Sequence, residues 1–121
     1  MSLQLSVEAR ANHERFLERV RAKGEVWGLR SADGWAVCPS NEDEDVIVFV
    51  FWSDRAYAAR HVREEWAEYV PTAISLDDFL TKWLPGMSRD GRLVGTNWDA
   101  SLCGVESTPE DLALQLRAGG T

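Results

Sequence analysis

Cysteine, histidine and proline are scarce in this 121-residue chain, at two, two and four residues. Cys38 and Cys103 form no C-x-x-C pair and share no metal-type spacing with His13 or His61. That pattern argues against a disulfide framework and against a zinc centre. Basic residues are also few, 13 against 20 acidic ones, for a formal charge of −7. A nucleic-acid binder needs a basic footprint to release counterions, and an anionic membrane surface attracts basic segments, so neither is expected as a partner. No run of about 18 apolar residues is present, as a membrane span would need. Met1 to Arg10 lacks an apolar signal region, so the thiols read as reduced and the protein as cytoplasmic. The phosphate loop, G-x-G-x-x-G, H-E-x-x-H and G-x-S-x-G patterns are all missing. No catalytic residue, cofactor or metal is predicted, and whether the protein is an enzyme stays open, with the weight on no.

Six tryptophans, by contrast, are many for this length. Each buries about 150–250 Å² when packed, so most of them read as core. The length suits one domain over residues 1–121, large enough to fold without metal or disulfide.

The organising stretch is Val46–Phe51, six apolar residues followed by Trp52-Ser53-Asp54. It is apolar on both faces, which marks a central strand covered on both sides. Ser53 reads as the cap of the next helix, with Asp54 at its positive end. Ahead of the strand, Asn41 to Asp45 carries four successive acids. The run has no glycine turn and no glutamate at the twelfth position, so it is no calcium loop. Charges flanking an aggregation-prone strand act as gatekeepers.

Around that strand, periodicity predicts a helix from Val7 to Ala22 with Ala9, His13, Phe16, Leu17 and Val20 inward, and Arg15 and Arg19 in a solvent face. His13 reads as a boundary or satisfied core residue. Glu25–Arg30 and Trp35–Pro39 read as a hairpin around Asp33-Gly34. A second helix is expected from Asp54 to Tyr69, burying Ala56, Ala59, Val62, Trp66 and Val70. On its outer face a His61–Glu65 pair reads as a surface contact. Val70–Ile74 is extended. A third helix opens at Ser75 in the manner of a capping box and stops at Pro85-Gly86. Arg92–Trp98 is a strand, with Gly95 marking a bulge or close backbone approach. Residues 99–106 read as irregular. The last helix starts at Thr108-Pro109, buries Leu112 and Leu116, and ends at Gly119-Gly120. The predicted class is α+β: a four- to five-stranded, mostly antiparallel sheet with three to four packed helices.

Val26-Trp27-Gly28-Leu29, Gly34-Trp35, Phe51-Trp52-Ser53-Asp54, Trp66 with Tyr69 and Pro71, Trp83-Leu84-Pro85-Gly86-Met87 and Asn97-Trp98 stand in this order along the chain. In that ordered set the chain resembles a bacterial family of uncharacterised domains, domain-of-unknown-function family 2750, over roughly Phe16 to Leu116. The resemblance implies a small single-domain cytosolic protein, and it brings no established activity and no catalytic residues.

Two functions are weighed. The first is a non-catalytic protein-interaction or regulatory module, monomeric or weakly dimeric, using an acidic or aromatic surface toward a protein partner. The alternative is a small-molecule binder or minor enzyme. Trp52, Asp54, Asn97, Trp98 and Asp99 place a tryptophan and an acid at each of two strand ends. If those strands are neighbours, the ends meet in an aromatic-walled pocket. The competing reading is that the tryptophans close the core and the acids cap or turn. Cys38, in a strand beside Pro39, reads as a buried inert thiol.

Overall fold

The computed structural model describes residues 3–118; the helix stop expected at Gly119-Gly120 lies outside them. The chain is α+β, as expected, with its strands divided between two sheets. Helix α1 (Leu3–Lys23) is followed by β1 (Glu25–Ser31), β2 (Gly34–Trp35), β3 (Val37–Pro39) and β4 (Ile47–Phe51). A short α2 (Arg55–Ala59) and a 3-10 turn (Glu64–Trp66) lead to β5 (Val70–Ser75). Helical segments α3 (Leu76–Asp78), a π turn (Phe79–Trp83) and α4 (Leu84–Arg89) run on without a break. Strands β6 (Leu93–Thr96) and β7 (Val105–Ser107) precede α5 (Pro109–Ala118).

One sheet has the order β2-β1-β5 and the other β3-β4-β6-β7. They are joined where Trp27 and Trp52 exchange both backbone hydrogen bonds, at 2.8 and 2.7 Å. The stretch 46–52 therefore does organise the chain: β4 is central in its own sheet and its extension docks onto β1. Alternation along β4 feeds two cores. Phe51, with Phe49 packed at the edge, enters a cluster built with Phe16, Val20, Phe79, Leu84, Val94, Leu112 and Leu116. Val48, Val50 and Trp52 enter a second cluster with Leu29, Ala58, Trp66 and Trp98.

Several boundaries differ from the sequence reading. The expected hairpin partner Trp35–Pro39 splits at Ala36. Trp35 pairs with Arg30 in one sheet, while Val37 to Pro39 pairs with Phe49 to Ile47 in the other. Val70 to Ser75 is a full strand that pairs antiparallel with β1 along its length. Val105–Ser107 pairs with β6, inside and just beyond a stretch read as irregular. The third helix passes through Pro85-Gly86. Its π turn ends just before Pro85, and the wider i→i+5 bonding accommodates a residue with no amide hydrogen to give.

The second helix ends at Ala59, far short of Tyr69. His61 and Trp66 are both buried. Five residues apart on a continuous helix, they would point about 140° apart. The chain instead turns, with Arg63 extended and Glu64 at φ 53°. Trp66 then meets Trp52 edge-on at 6.4 Å, and the His61 ring lies 4.6 Å from that of Trp52. The expected inward face fails accordingly: Ala56 and Val70 are exposed. His61 is bound to two carbonyls rather than paired with Glu65 on the surface.

Caps were better legible. Ser75 Oγ accepts from the Asp78 amide at 3.1 Å, and Thr108 Oγ1 accepts from the Asp111 amide at 3.2 Å. Ser53 is not the cap of α2. That position belongs to Asp54, and neither side chain bonds the helix amides.

Candidate functional site

Strands β4 and β6 pair parallel, with Phe51 opposite Thr96. Their C-terminal ends therefore emerge side by side, and Trp52-Ser53 meets Asn97-Trp98. The join is tight. The Asn97 amide donates to the Phe51 carbonyl at 2.9 Å. Asn97 Oδ1 accepts from the Ser53 amide at 2.8 Å, and its Nδ2 donates to Ser53 Oγ at 3.1 Å and to the Asn12 carbonyl at 3.3 Å. Asn97 sits at φ 48°, a left-handed conformation that asparagine tolerates better than most residues. One side chain thus ties both strand ends to α1.

Trp98 is fixed from both sides. Its indole N–H donates to the Val105 carbonyl at 2.9 Å, and the Trp52 indole donates to the Trp98 carbonyl at 3.2 Å. The ring lies against Gly95 and Gly104, where an added Cβ would stand 2.6 and 2.5 Å from ring atoms. The close approach read at Gly95 is thus the seat of Trp98. The two tryptophans are 1% and 2% exposed. They form the floor of a depression and leave its walls to polar groups.

That depression holds about 420 Å³ and is lined by Asn12, Arg15, Trp52, Tyr57, Arg60, His61, Asn97, Trp98, Asp99 and Ala100. Four of the five expected residues meet there. Asp54 does not. Its Oδ2 accepts from Arg19 at 2.7 Å and Lys23 at 2.8 Å, and its Oδ1 from the Ser53 hydroxyl at 2.6 Å. Burial pushes the Asp54 carboxyl up, but the hydrogen bonds from Lys23 and Ser53 and the charges of Lys23 and Arg19 outweigh it. Together they hold it below the usual carboxylate range. Asp54 anchors α1 to the start of α2, outside the cavity lining.

Asp99 shapes the rim. Its Oδ1 accepts from the amides of Ser101 and Cys103 at 2.9 and 3.2 Å, closing the loop after β6. The His61 ring nitrogens lie 3.1 Å from the Tyr57 carbonyl oxygen and 3.0 Å from that of Asp99. Both partners only accept, so the ring nitrogen that carries the proton donates to backbone, and His61 ties α2 to the rim. Arg60 stacks on Tyr57, 4.8 Å from the ring centre, and Arg15 donates to Asn12 Oδ1 at 2.8 Å. The sequence reading missed Asn12, Arg15, Tyr57, Arg60, His61 and Ala100. Tyr57, Arg60 and His61 do fall at i, i+3 and i+4, which is one helical face. Arg15 carried no signal that separates it from its charged neighbours.

Among the described residues, no serine, threonine, cysteine or lysine lines the cavity. Ser53 is fully buried and its hydroxyl is spent on Asp54. Cys38 lies elsewhere, its thiol pushed up to about 11 by burial and then by the charges of Glu106, Cys103 and Glu65. A larger, open depression of about 590 Å³ runs from Cys38 to Glu44 beside Ser101 and Leu102. Glu42, Asp43 and Glu44 are exposed there, and among the described residues no cationic side chain lines it with them. Among the described residues, no group of three or more His, Cys, Asp or Glu is gathered to hold a metal ion, and no helix is long and apolar enough to cross a membrane.

A family model described as "Protein of unknown function (DUF2750)" matches residues 13–116. No curated protein and no solved structure matches the chain.

Proposed function

This chain belongs to the DUF2750 family, and from that premise we propose that it is a small-molecule binding protein whose site is the cavity at the ends of β4 and β6. The observation that carries this reading is the convergence of Trp52 and Asn97-Trp98-Asp99 through a parallel strand pair. Ligand crevices form readily beyond the carboxyl ends of parallel strands. The volume falls in the usual range for metabolite sites, about 300–1,000 Å³. The floor is rigid and the walls carry fixed donors and acceptors, which is what a pre-formed site requires. The reading is of a site that holds a ligand, with Trp52 and Trp98 as its floor.

Titration of metabolites against intrinsic tryptophan fluorescence tests this, because Trp52 and Trp98 lie under the cavity. The expected result is a saturable change that disappears in Ala100→Phe, a substitution that fills the mouth from an exposed position. No saturable change with any compound, or an unaltered change in Ala100→Phe, overturns the proposal.

The protein-interaction or regulatory module is the second reading. It rests on the exposed acidic run 42–45. A partner captured equally well after Glu42, Asp43, Glu44 and Asp45 are changed to their amides would remove that support.

A further inference from the structure

We infer that the ligand of this cavity is a small organic anion carrying a carboxylate or a phosphate, held by Arg15 and Arg60; the inference rests on the small-molecule reading above. The argument begins with charge. Of the 13 lysines and arginines, three lie within 4 Å of a carboxylate oxygen among the described residues. Arg19 and Lys23 do so, sharing Asp54 at 2.7 and 2.8 Å. Arg15 and Arg60 do not: among the described residues neither lies within 4 Å of a carboxylate oxygen. Yet both line the same depression, one from α1 and one from the C-terminal end of α2.

Each guanidinium is also steered. Arg15 is held by Asn12 Oδ1, and Arg60 lies on the face of Tyr57. Both contacts leave most of the five N–H donors of each guanidinium unspent. Two such forks on one cavity suit an oxyanion, because guanidinium meets carboxylate or phosphate with paired, charge-assisted bonds. Among the described residues the acid in the lining is Asp99, and its Oδ1 accepts from the amides of Ser101 and Cys103. The cavity thus carries a local positive excess on an acidic protein. The larger depression along 38–44 has the opposite character, lined by Glu42, Asp43 and Glu44. An anion arriving in the protein's negative field is directed to one of these sites and repelled from the other.

Matched pairs of probes test the inference. Indole-3-acetate with indole-3-ethanol supplies a carboxylate and its neutral counterpart, and glucose 6-phosphate with glucose supplies a phosphate. Inorganic phosphate and acetate alone show whether the anionic group suffices. Calorimetric titration in low salt should give at least tenfold tighter binding for a charged member than for its neutral partner. Which pair shows it decides between carboxylate and phosphate. Arg15→Gln with Arg60→Gln should weaken the charged member at least tenfold and leave the urea midpoint in place, since neither side chain supports the core. Equal binding of charged and neutral members, or undiminished anion binding by the double variant, overturns the inference and leaves the pocket standing. Binding of no probe, charged or neutral, together with a silent metabolite screen, overturns the pocket itself.

Discussion

The two faces of β4 are built from different materials. On one side, Phe51 faces α1, the 76–89 helical run and α5 across a cluster of Phe, Leu, Val, Ile and Met, with one buried polar contact beside it, between His13 of α1 and Thr96 of β6 at 2.6 Å. On the other, Trp52 faces Trp66, Trp98, Ala58 and the turns after α2 and β6. Polar side chains press on that second cluster: buried His61, Ser53 and Asn97 bond its strand ends and turns. The first face is held mainly by non-directional burial, which tolerates shifts of packing, with His13 adding the directional contacts to Thr96 and Gln115. The second is held by hydrogen bonds with fixed partners, which specify one arrangement and leave donors and rings at defined positions. A protein can thus keep its stability in one half and its binding geometry in the other, and a single strand serves both.

The strongest way to break this division is Phe79→Ala. Phe79 is fully buried and meets Phe51 edge-on at 5.1 Å. The expected cost is about 3–5 kcal/mol, the usual range for such a deletion, read as a lowered urea midpoint. Because Phe79 is remote from the tryptophan side, the protein that remains folded should keep its ligand affinity. A loss of affinity at full occupancy of the folded state would show that the faces are coupled.

Next comes Gly95→Ala. The new Cβ would stand 2.6 Å from the Trp98 ring, which Gly104 also abuts and whose N–H is held by the Val105 carbonyl. Overpacking of this kind costs about 1–3 kcal/mol. Trp98 should move with it, so fluorescence and ligand response should change together. An unaltered tryptophan spectrum would contradict the seating described for Trp98.

A smaller effect depends on pH. The Asp54 carboxyl is held below its ordinary value of 3.8, so the folded state favours its charged form. That contribution is fully present above the ordinary value and is lost as pH falls through the lower, folded one. Asp54→Asn should therefore destabilise the protein at neutral pH, and the gap from wild type should close below about pH 4. A gap that persists undiminished at low pH would assign the effect to packing instead.

The smallest effect is expected from Glu44→Ala, an exposed position in the acidic run: under about 0.5 kcal/mol. A larger loss would show that the run is structural as well as a flanking charge.

The aliphatic face was the legible one. Strict periodicity placed Phe16, Leu17 and Val20 of α1, Phe79 and Leu84 of the third helical run, and Leu112 and Leu116 of α5, because burial of an apolar stripe leaves its period in the sequence. Ser75 and Thr108 were read as caps because capping is a local bond. On the tryptophan face, the meeting of Trp52 with Asn97-Trp98 was legible only as a conditional. Nothing in either segment says that β4 and β6 pair in parallel. The helix through Trp66 was misread for a related reason. Its apolar spacing is helical, while the contact that holds His61 after the helix ends, to the carbonyl of Asp99, joins residues 38 apart. Asp54 was drawn into the site by its neighbours in sequence and proves to serve Arg19 and Lys23. Arg15 and Arg60 were invisible, because only the fold brings one cation of α1 and one of α2 to the same cavity.

The division between the two faces is tested most directly by following backbone amide and indole ¹H–¹⁵N signals while a binding metabolite is added. The account predicts shifts at the Trp52 and Trp98 indoles and at the amides of Ser53, Asn97 and Asp99, with Phe79, Val94 and Leu112 unmoved. Shifts centred on the helical face, or spread evenly over both, would contradict it.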